Sequence, residues 1–327
     1  MLPDGALCAP TIIGHWKLVI GHLLWRIHGS VREFTGRKLV PVVLFALLSL
    51  QLPAPVEASD LAIRLSPDRV KQGGVSILSI EWRAPIRALH VWAGGRQIAA
   101  PAWTDRSRVA MLVGVDLEQA PGPVEVRAEA VDARGRSLKG QRTLRVLDAR
   151  YPLQHLTVPR PFVELDPTTL ERVHREKAVL DHVWETARPE RVWREPFQIP
   201  LEGAGPGWGF GVRRIINGEP RSPHTGTDFP ASEGTPVLAA NAGVVALVAD
   251  QFFSGTSVVL DHGFGLYTMY FHLQESLVRE GQHVDRAEPI ARVGSTGRAT
   301  GPHLHWGARL HGTRIDPQEL LRISSLD

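Results

Sequence analysis

From residue 61 to residue 148, apolar and polar positions alternate in short runs: LAIRLS, VSILSIEW, LHVWAGG, VAMLVGV, VEVRAEAVD and LRVLD. In VEVRAEAVD, Val124, Val126, Ala128 and Ala130 fall on one face and Glu125, Arg127 and Glu129 on the other. That is the period of two of a half-buried strand. GG and PG pairs between the runs suit tight connections, so the segment predicts a small β-sandwich. It holds no concentration of catalytic residue types, and a spacer or binding role is expected of it.

The pattern then changes period. Asp166-Pro167 can cap and open a helix through TTLERVHREKAVLDHVWETA, because the aspartate oxygen accepts a free backbone N–H and proline at the first helical position loses no hydrogen bond. Val173, Lys177, Leu180 and Trp184 form a mixed stripe, and Pro189 ends the run after Arg188. His174 and His182 on this helix read as surface or packing residues. From residue 201 glycines recur between apolar runs, GTPVLAA, GVVALVAD, TSVVLDHG, GLYTMYFHL and HLHWGARL, closing on RIDPQELL. This predicts a second all-β unit with many turns, ending in a strand and a short helical turn.

The N-terminal residues change the picture of where the chain works. Arg37-Lys38 precedes LVPVVLFALLSL and then a polar passage ending in VEA before Ser59, the three parts of a secretory signal. Cleavage is expected after Ala58, with export to the periplasm or cell envelope. A further apolar patch at residues 12–25, IIGHWKLVIGHLLW, is broken by two histidines and a lysine. Translation starting near Val31 explains it better than a membrane anchor does, since those groups are costly to bury in lipid. The expected division is therefore an N-terminal extension and signal at 1–58, a β-sandwich accessory domain at 59–149, a linker with a helix at 150–200 and a catalytic domain at 201–327.

Composition narrows the chemistry. Cys8 is the only cysteine and leaves with the signal, so any metal must be held by nitrogen and oxygen ligands. The formal net charge of +3 over 327 residues, with scattered arginines, gives no nucleic-acid footprint.

Candidate chemistry gathers in the glycine-rich unit. In GPHLHWGARL, a strand would point His303 and His305 to one face and Leu304 to the other. In PHTGTDFP, His224 and Asp228 stand at i and i+4, but Pro223, Gly226 and Pro230 argue for a loop entering a strand, so the pair must converge by a bend. Among 14 histidines either pattern alone arises by chance; together with His272 in YTMYFHL they suggest a metal site. His262 in LDHG reads as a backbone tie and Asn217-Gly218 as a turn, while Tyr270 is either a packed aromatic or a groove residue.

GFGVRR, PHTGTDFPASEGTPVLAANAGVV, VVLDHGFGLYTMYFHL, VGSTGRATGPHLHWGARL and RIDP, in this order, cover nearly all of residues 207–317. On these motifs the chain resembles the LytM/lysostaphin-type (LasA-like) zinc metallopeptidases, which cleave peptide bonds in peptidoglycan. The resemblance implies an all-β catalytic domain of the duplicated-hybrid-motif type, one Zn2+ held by His224, Asp228 and His305, and His303 and His272 as metal-adjacent catalytic residues. Base and oxyanion roles of those two histidines stay open. Ala287 and Ala291 depart from glycines common in the family, which puts local turn geometry in doubt. The implied substrate is the stem or cross-link peptide of peptidoglycan, and the chain is expected to act as a monomer with room for a cell-envelope regulatory partner. Three alternatives stand beside this reading: a non-catalytic activator of another wall hydrolase, a peptidase for glycine-rich proteins, and an enzyme inhibited by its own N-terminal part and released by truncation before about Leu201.

Overall fold

The computed structural model describes residues 61–100, 107–157, 163–186, 188–323 and 326. The signal segment with its cleavage after Ala58, the apolar patch at 12–25 and Cys8 lie outside the described residues. Eight strands build the N-terminal part: β1 (Ala62–Ser66), β2 (Arg69–Lys71), β3 (Val75–Glu81), β4 (Ile86–Ala93), β5 (Arg96–Ile98), β6 (Arg108–Gly114), β7 (Gly122–Asp132) and β8 (Ser137–Leu147). They form two sheets, β1-β3-β6 and β2-β8-β7-β4-β5, around a core that includes Leu78, Ile80, Met111, Val126, Ala128 and Leu144. Alternation in β7 is as the sequence predicts, with Val126, Ala128 and Ala130 buried and Glu125 and Arg127 outward.

Strands β3 and β6 are apolar on both faces, and both faces are used. Leu78, Ile80, Met111 and Val113 look into the sandwich, while Val75 and Leu112, with Ile77 and Ala110, pack into the core of the C-terminal part. A bidentate pair joins the two parts at the rim: Arg314 donates to Asp116 at 2.6 and 3.0 Å.

The connector is more than a tether. After β9 (Leu153–Leu156) comes α1 (Pro167–Glu185), whose Asp166 cap accepts from Thr168 N and Thr169 N as expected. Its packed face is centred on Val183, with Leu180 and Trp184, against Leu247, Val259, Tyr267 and Met269. Lys177, expected in the stripe, is exposed and pairs with Asp181, and His174 and His182 are exposed too. Beyond the helix, Trp193, Phe197 and Leu201 are buried in the C-terminal core, and Gln198 N donates to Ala240 O at 3.0 Å.

The C-terminal part adds β10 (Arg213–Ile216), β11 (Glu219–Arg221), β12 (Gly226–Pro230), β13 (Pro236–Leu238), β14 (Gly243–Gln251), β15 (Gly255–Asp261), β16 (Leu266–Ser276), β17 (His283–Val284), β18 (Pro289–Val293), β19 (His303–Leu310) and β20 (Thr313–Ile315), then a 3-10 turn, Pro317–Arg322. The main sheet runs β12-β19-β16-β15-β14-β17, with β18 also paired to β13 and β16, and β20 paired to β19. Strands β10 and β11 form a hairpin whose Asn217 and Gly218 both have positive φ, the turn that Asn-Gly suits. Two further candidates resolve as structural. His262 is buried between Ala242 O and Thr268 Oγ1, both at 2.7 Å, and Tyr270 is a fully buried core residue whose hydroxyl accepts from Ala240 N.

Ala287 marks where departure from glycine matters. It is exposed and has φ 68 in the β17–β18 turn, a region costing a residue with a Cβ roughly 1–2 kcal/mol. Ala287→Gly removes no packing and relieves that strain, partly offset by the greater freedom of glycine in the unfolded chain. A gain of about 0.5–1 kcal/mol is expected, read as a higher denaturant midpoint; a lower midpoint refutes the strain argument.

Candidate metal centre

The register of three strands assembles the site. Asp228 of β12 lies opposite His305 of β19, and His305 opposite Phe271 of β16; directly paired residues in antiparallel strands share a face. Leu304 points the other way and is fully buried in the core. His224 precedes β12 and bends back, with Gly211 N donating to its carbonyl and its own N–H donating to Val212 O.

These placements bring three ligand atoms together. His224 Nε2 lies 3.0 Å from His305 Nδ1 and 3.2 Å from Asp228 Oδ1, and His305 Nδ1 lies 3.0 Å from the same oxygen. Ligands held at about 2.0–2.1 Å on a tetrahedral zinc ion are roughly 3.3 Å apart, so this triangle is close to one face of such a tetrahedron. The donor set also fits: two imidazoles and one carboxylate, without thiolate, suit a zinc ion with a fourth position open. Among the described residues this is the one cluster of three such groups.

Backbone carbonyls set the tautomers. His224 Nδ1 donates to Gly209 O at 2.9 Å, because a carbonyl can only accept, and this bond leaves Nε2 as the ring atom that faces the cluster. Two glycines make this close approach possible. A Cβ at Gly226 would stand 2.4 Å from His305 Nε2, and one at Gly209, where φ is 98, would stand 2.9 Å from His224 Nδ1. Phe271 stacks on the His305 ring at 5.4 Å and 7°, holding its plane.

The remaining two histidines flank the triangle. His303 Nε2 is 3.9 Å from Asp228 Oδ1, and its Nδ1 donates to Gly301 O at 2.9 Å. His272 Nδ1 donates to Thr296 O at 2.8 Å, and its ring centroid is 4.8 Å from that of His303. Both rings thus have Nδ1 engaged by a backbone carbonyl. Sequence alone pairs His272 with Tyr270 by strand parity, and the structure separates them. His272 has φ 61, its N–H donates to Ser254 O, and the register with β15 slips between Thr256, opposite Leu273, and Val258, opposite Tyr270. This break lets consecutive residues Phe271 and His272 both face the site, and such strain in a residue bearing a Cβ is typical of functional positions.

Electrostatics follow from burial and charge. Burial pushes the Asp228 carboxyl up, but hydrogen bonds from His224 and His305 outweigh it and hold the group below the usual carboxylate range. Burial takes the His272 imidazole down to about 4 despite its bond to Thr296. It lowers His305 as well, more than the bond to Asp228 raises it. One cation lies near this anion: Arg214, paired in register with Arg221, is lowered by burial and raised by the charge of Asp228. Arg298 is lowered by burial and by the like charges of Arg214 and Arg221. Sequence reading missed Thr296, whose hydroxyl donates to Leu273 O and accepts from Thr256 N while its carbonyl holds His272. Its only sequence signal is its place in the TGRATG loop.

The fold and the His/His/Asp cluster define a β-protein with three groups that could hold a metal ion, beside two further imidazoles. Residues 222–317, which hold the cluster and both flanking histidines, match the model of peptidase family M23. A solved structure described as a putative peptidase M23 from Pseudomonas aeruginosa superposes with a TM-score of 0.58 at 28% identity, covering 76% of this chain and 94% of that one. The peptidoglycan DD-endopeptidase ShyA of Vibrio cholerae is 42% identical over 95 residues, 29% of this chain and 22% of the relative. The DD-carboxypeptidase/endopeptidase Mpg of Neisseria meningitidis is 44% identical over 94 residues, again 29% and 22%. The matches with these two curated relatives therefore span about a fifth of their length.

Proposed function

We propose that this chain is a zinc-dependent endopeptidase that hydrolyses peptide bonds in the stem peptides or cross-links of peptidoglycan, acting as a monomer after export to the periplasm or cell envelope. In this proposal residues 59–149 form the accessory domain, 150–200 the connector and 201–327 the catalytic domain. The observation that carries the reading is the triangle of His224 Nε2, Asp228 Oδ1 and His305 Nδ1, edges 3.0 to 3.2 Å, flanked by two further imidazoles. The names of the matched relatives support the substrate class, and the cationic surroundings of Arg214, Arg221 and Arg298 suit stem peptides, which carry free carboxylates, better than polyglycine.

In the proposed mechanism His224, Asp228 and His305 hold the ion. A zinc ion held there would supply Lewis acidity, lowering the pKa of a water toward about 7 and polarising the scissile carbonyl. His303 takes the proton of that water on Nε2, its orientation fixed by Gly301 O. It then returns the proton to the leaving amine. His272, neutral and with Nδ1 committed to Thr296, offers an acceptor toward the groove. It serves as a second acceptor beside His303, whose ring centroid is 4.8 Å away.

The test is to purify the chain, measure its zinc content, and follow release of soluble fragments from peptidoglycan beside a polyglycine peptide. About one zinc per chain and selective digestion of peptidoglycan are expected, with loss on chelation and return on adding zinc. Zinc-loaded protein that cleaves neither substrate, yet activates a partner wall hydrolase, rejects this function in favour of a scaffold.

A further inference from the structure

Seven large apolar side chains are exposed among the described residues, and Trp208 is both the most exposed, at 59%, and the only aromatic. Its position follows from backbone pairing. Trp208 N donates to Asp228 O at 3.2 Å and Asp228 N donates to Trp208 O at 2.8 Å, so the two residues form a directly opposed antiparallel pair. Opposed residues project to the same face, with Cβ atoms about 4.5–5.5 Å apart. Asp228 is in turn opposed to His305, and His305 to Phe271. Trp208, Asp228, His305 and Phe271 therefore form one row across four segments, on the face where the ligand triangle lies.

The neighbouring Gly207 agrees with that orientation. A Cβ there would strike Thr227 and Phe229, the two residues that flank Asp228 in β12. Position 207 thus turns toward the core side with Phe229, as alternation requires if 208 faces the groove. The segment is also tightly held, since Gln318 Nε2 donates to Gly207 O at 3.3 Å in addition to the two bonds at Trp208. An exposed tryptophan on a fixed backbone beside a catalytic site offers a large apolar surface that a ligand can cover at little conformational cost.

We propose that Trp208 is a substrate-contacting residue, an aromatic wall on which the peptide residue flanking the scissile bond lays its methyl or aliphatic face. This rests on the peptidoglycan endopeptidase reading above and deepens it. A partner of this chemistry fits the row: an extended peptide of small side chains can pass over the His/Asp centre while a methyl-bearing residue meets the indole. The indole would then set which peptide register is cleaved.

The test compares the zinc-loaded parent with Trp208→Ala and Trp208→Phe on purified cross-linked muropeptides. Zinc content and melting temperature are measured for each, and muropeptide affinity is measured separately in a His303→Ala background. For Trp208→Ala, kcat/KM is expected to fall about 10–100-fold, mainly through KM, with affinity weakened by a similar factor and with zinc and melting unchanged. Trp208→Phe should recover most of both. Unchanged kcat/KM and affinity in Trp208→Ala overturn the proposal, as does a loss that tracks lost zinc or lowered melting. If the parent does not hydrolyse muropeptides, the functional reading fails and the affinity comparison alone decides the role of Trp208; a parent that binds none overturns both.

Discussion

His305→Ala is expected to lose both the metal and turnover, whereas His303→Ala keeps most of its zinc and loses turnover alone. The difference follows from placement on one strand. His305 Nδ1 is a corner of the ligand triangle, 3.0 Å from each of its partners; without it only His224 and Asp228 remain, too few for a stable tetrahedral site. His303 Nε2 lies outside the triangle, 3.9 Å from the Asp228 oxygen, placed to move a proton. Removing a general base costs roughly 100- to 10,000-fold in kcat, so a fall in that range at nearly full zinc occupancy is the expected signature. Metal analysis and single-turnover digestion of both variants check it. Equal zinc loss in the two, or digestion at parental rate by either, would show that the roles are assigned wrongly.

A chain beginning at Leu201 is expected not to fold cooperatively, and hence to be inactive rather than released from inhibition. Trp193 and Phe197 are buried among Ala240, Leu260 and Leu266 in the C-terminal core, and truncating a buried aromatic costs about 3–5 kcal/mol each. That approaches the whole stability of a typical domain, roughly 5–15 kcal/mol. The same cut removes α1, uncovering Tyr267 and Met269, and deletes Glu195 O, which accepts from the buried Asn241 side chain. It also removes the sandwich strands that supply Val75 and Leu112. Thermal melting followed by circular dichroism distinguishes the outcomes. A cooperative transition for 201–327 within a few degrees of the longer chain, with higher specific activity, would support inhibition by the N-terminal part instead.

The sequence by itself determined the β-rich architecture, the Asp166-capped helix and the shared face of His303 and His305. These depend on local periods, two for a strand and 3.6 for a helix, or on a capping side chain two or three residues from its donors. It also allowed the His224–Asp228 pair to be read as converging by a bend, since proline and glycine exclude a helix there. What only the tertiary structure decided depends on partners far along the chain. His272 leaves strand parity because Ser254 O captures its N–H and Thr296 O its ring, neither of which is legible in YTMYFHL. Trp208 joins the metal row only through its pairing with Asp228, and Trp193 and Phe197 enter the core only because the sheet leaves a face for them to cover. A residue's own neighbours set its local geometry, but which face it presents to a site depends on strands and loops brought beside it by folding.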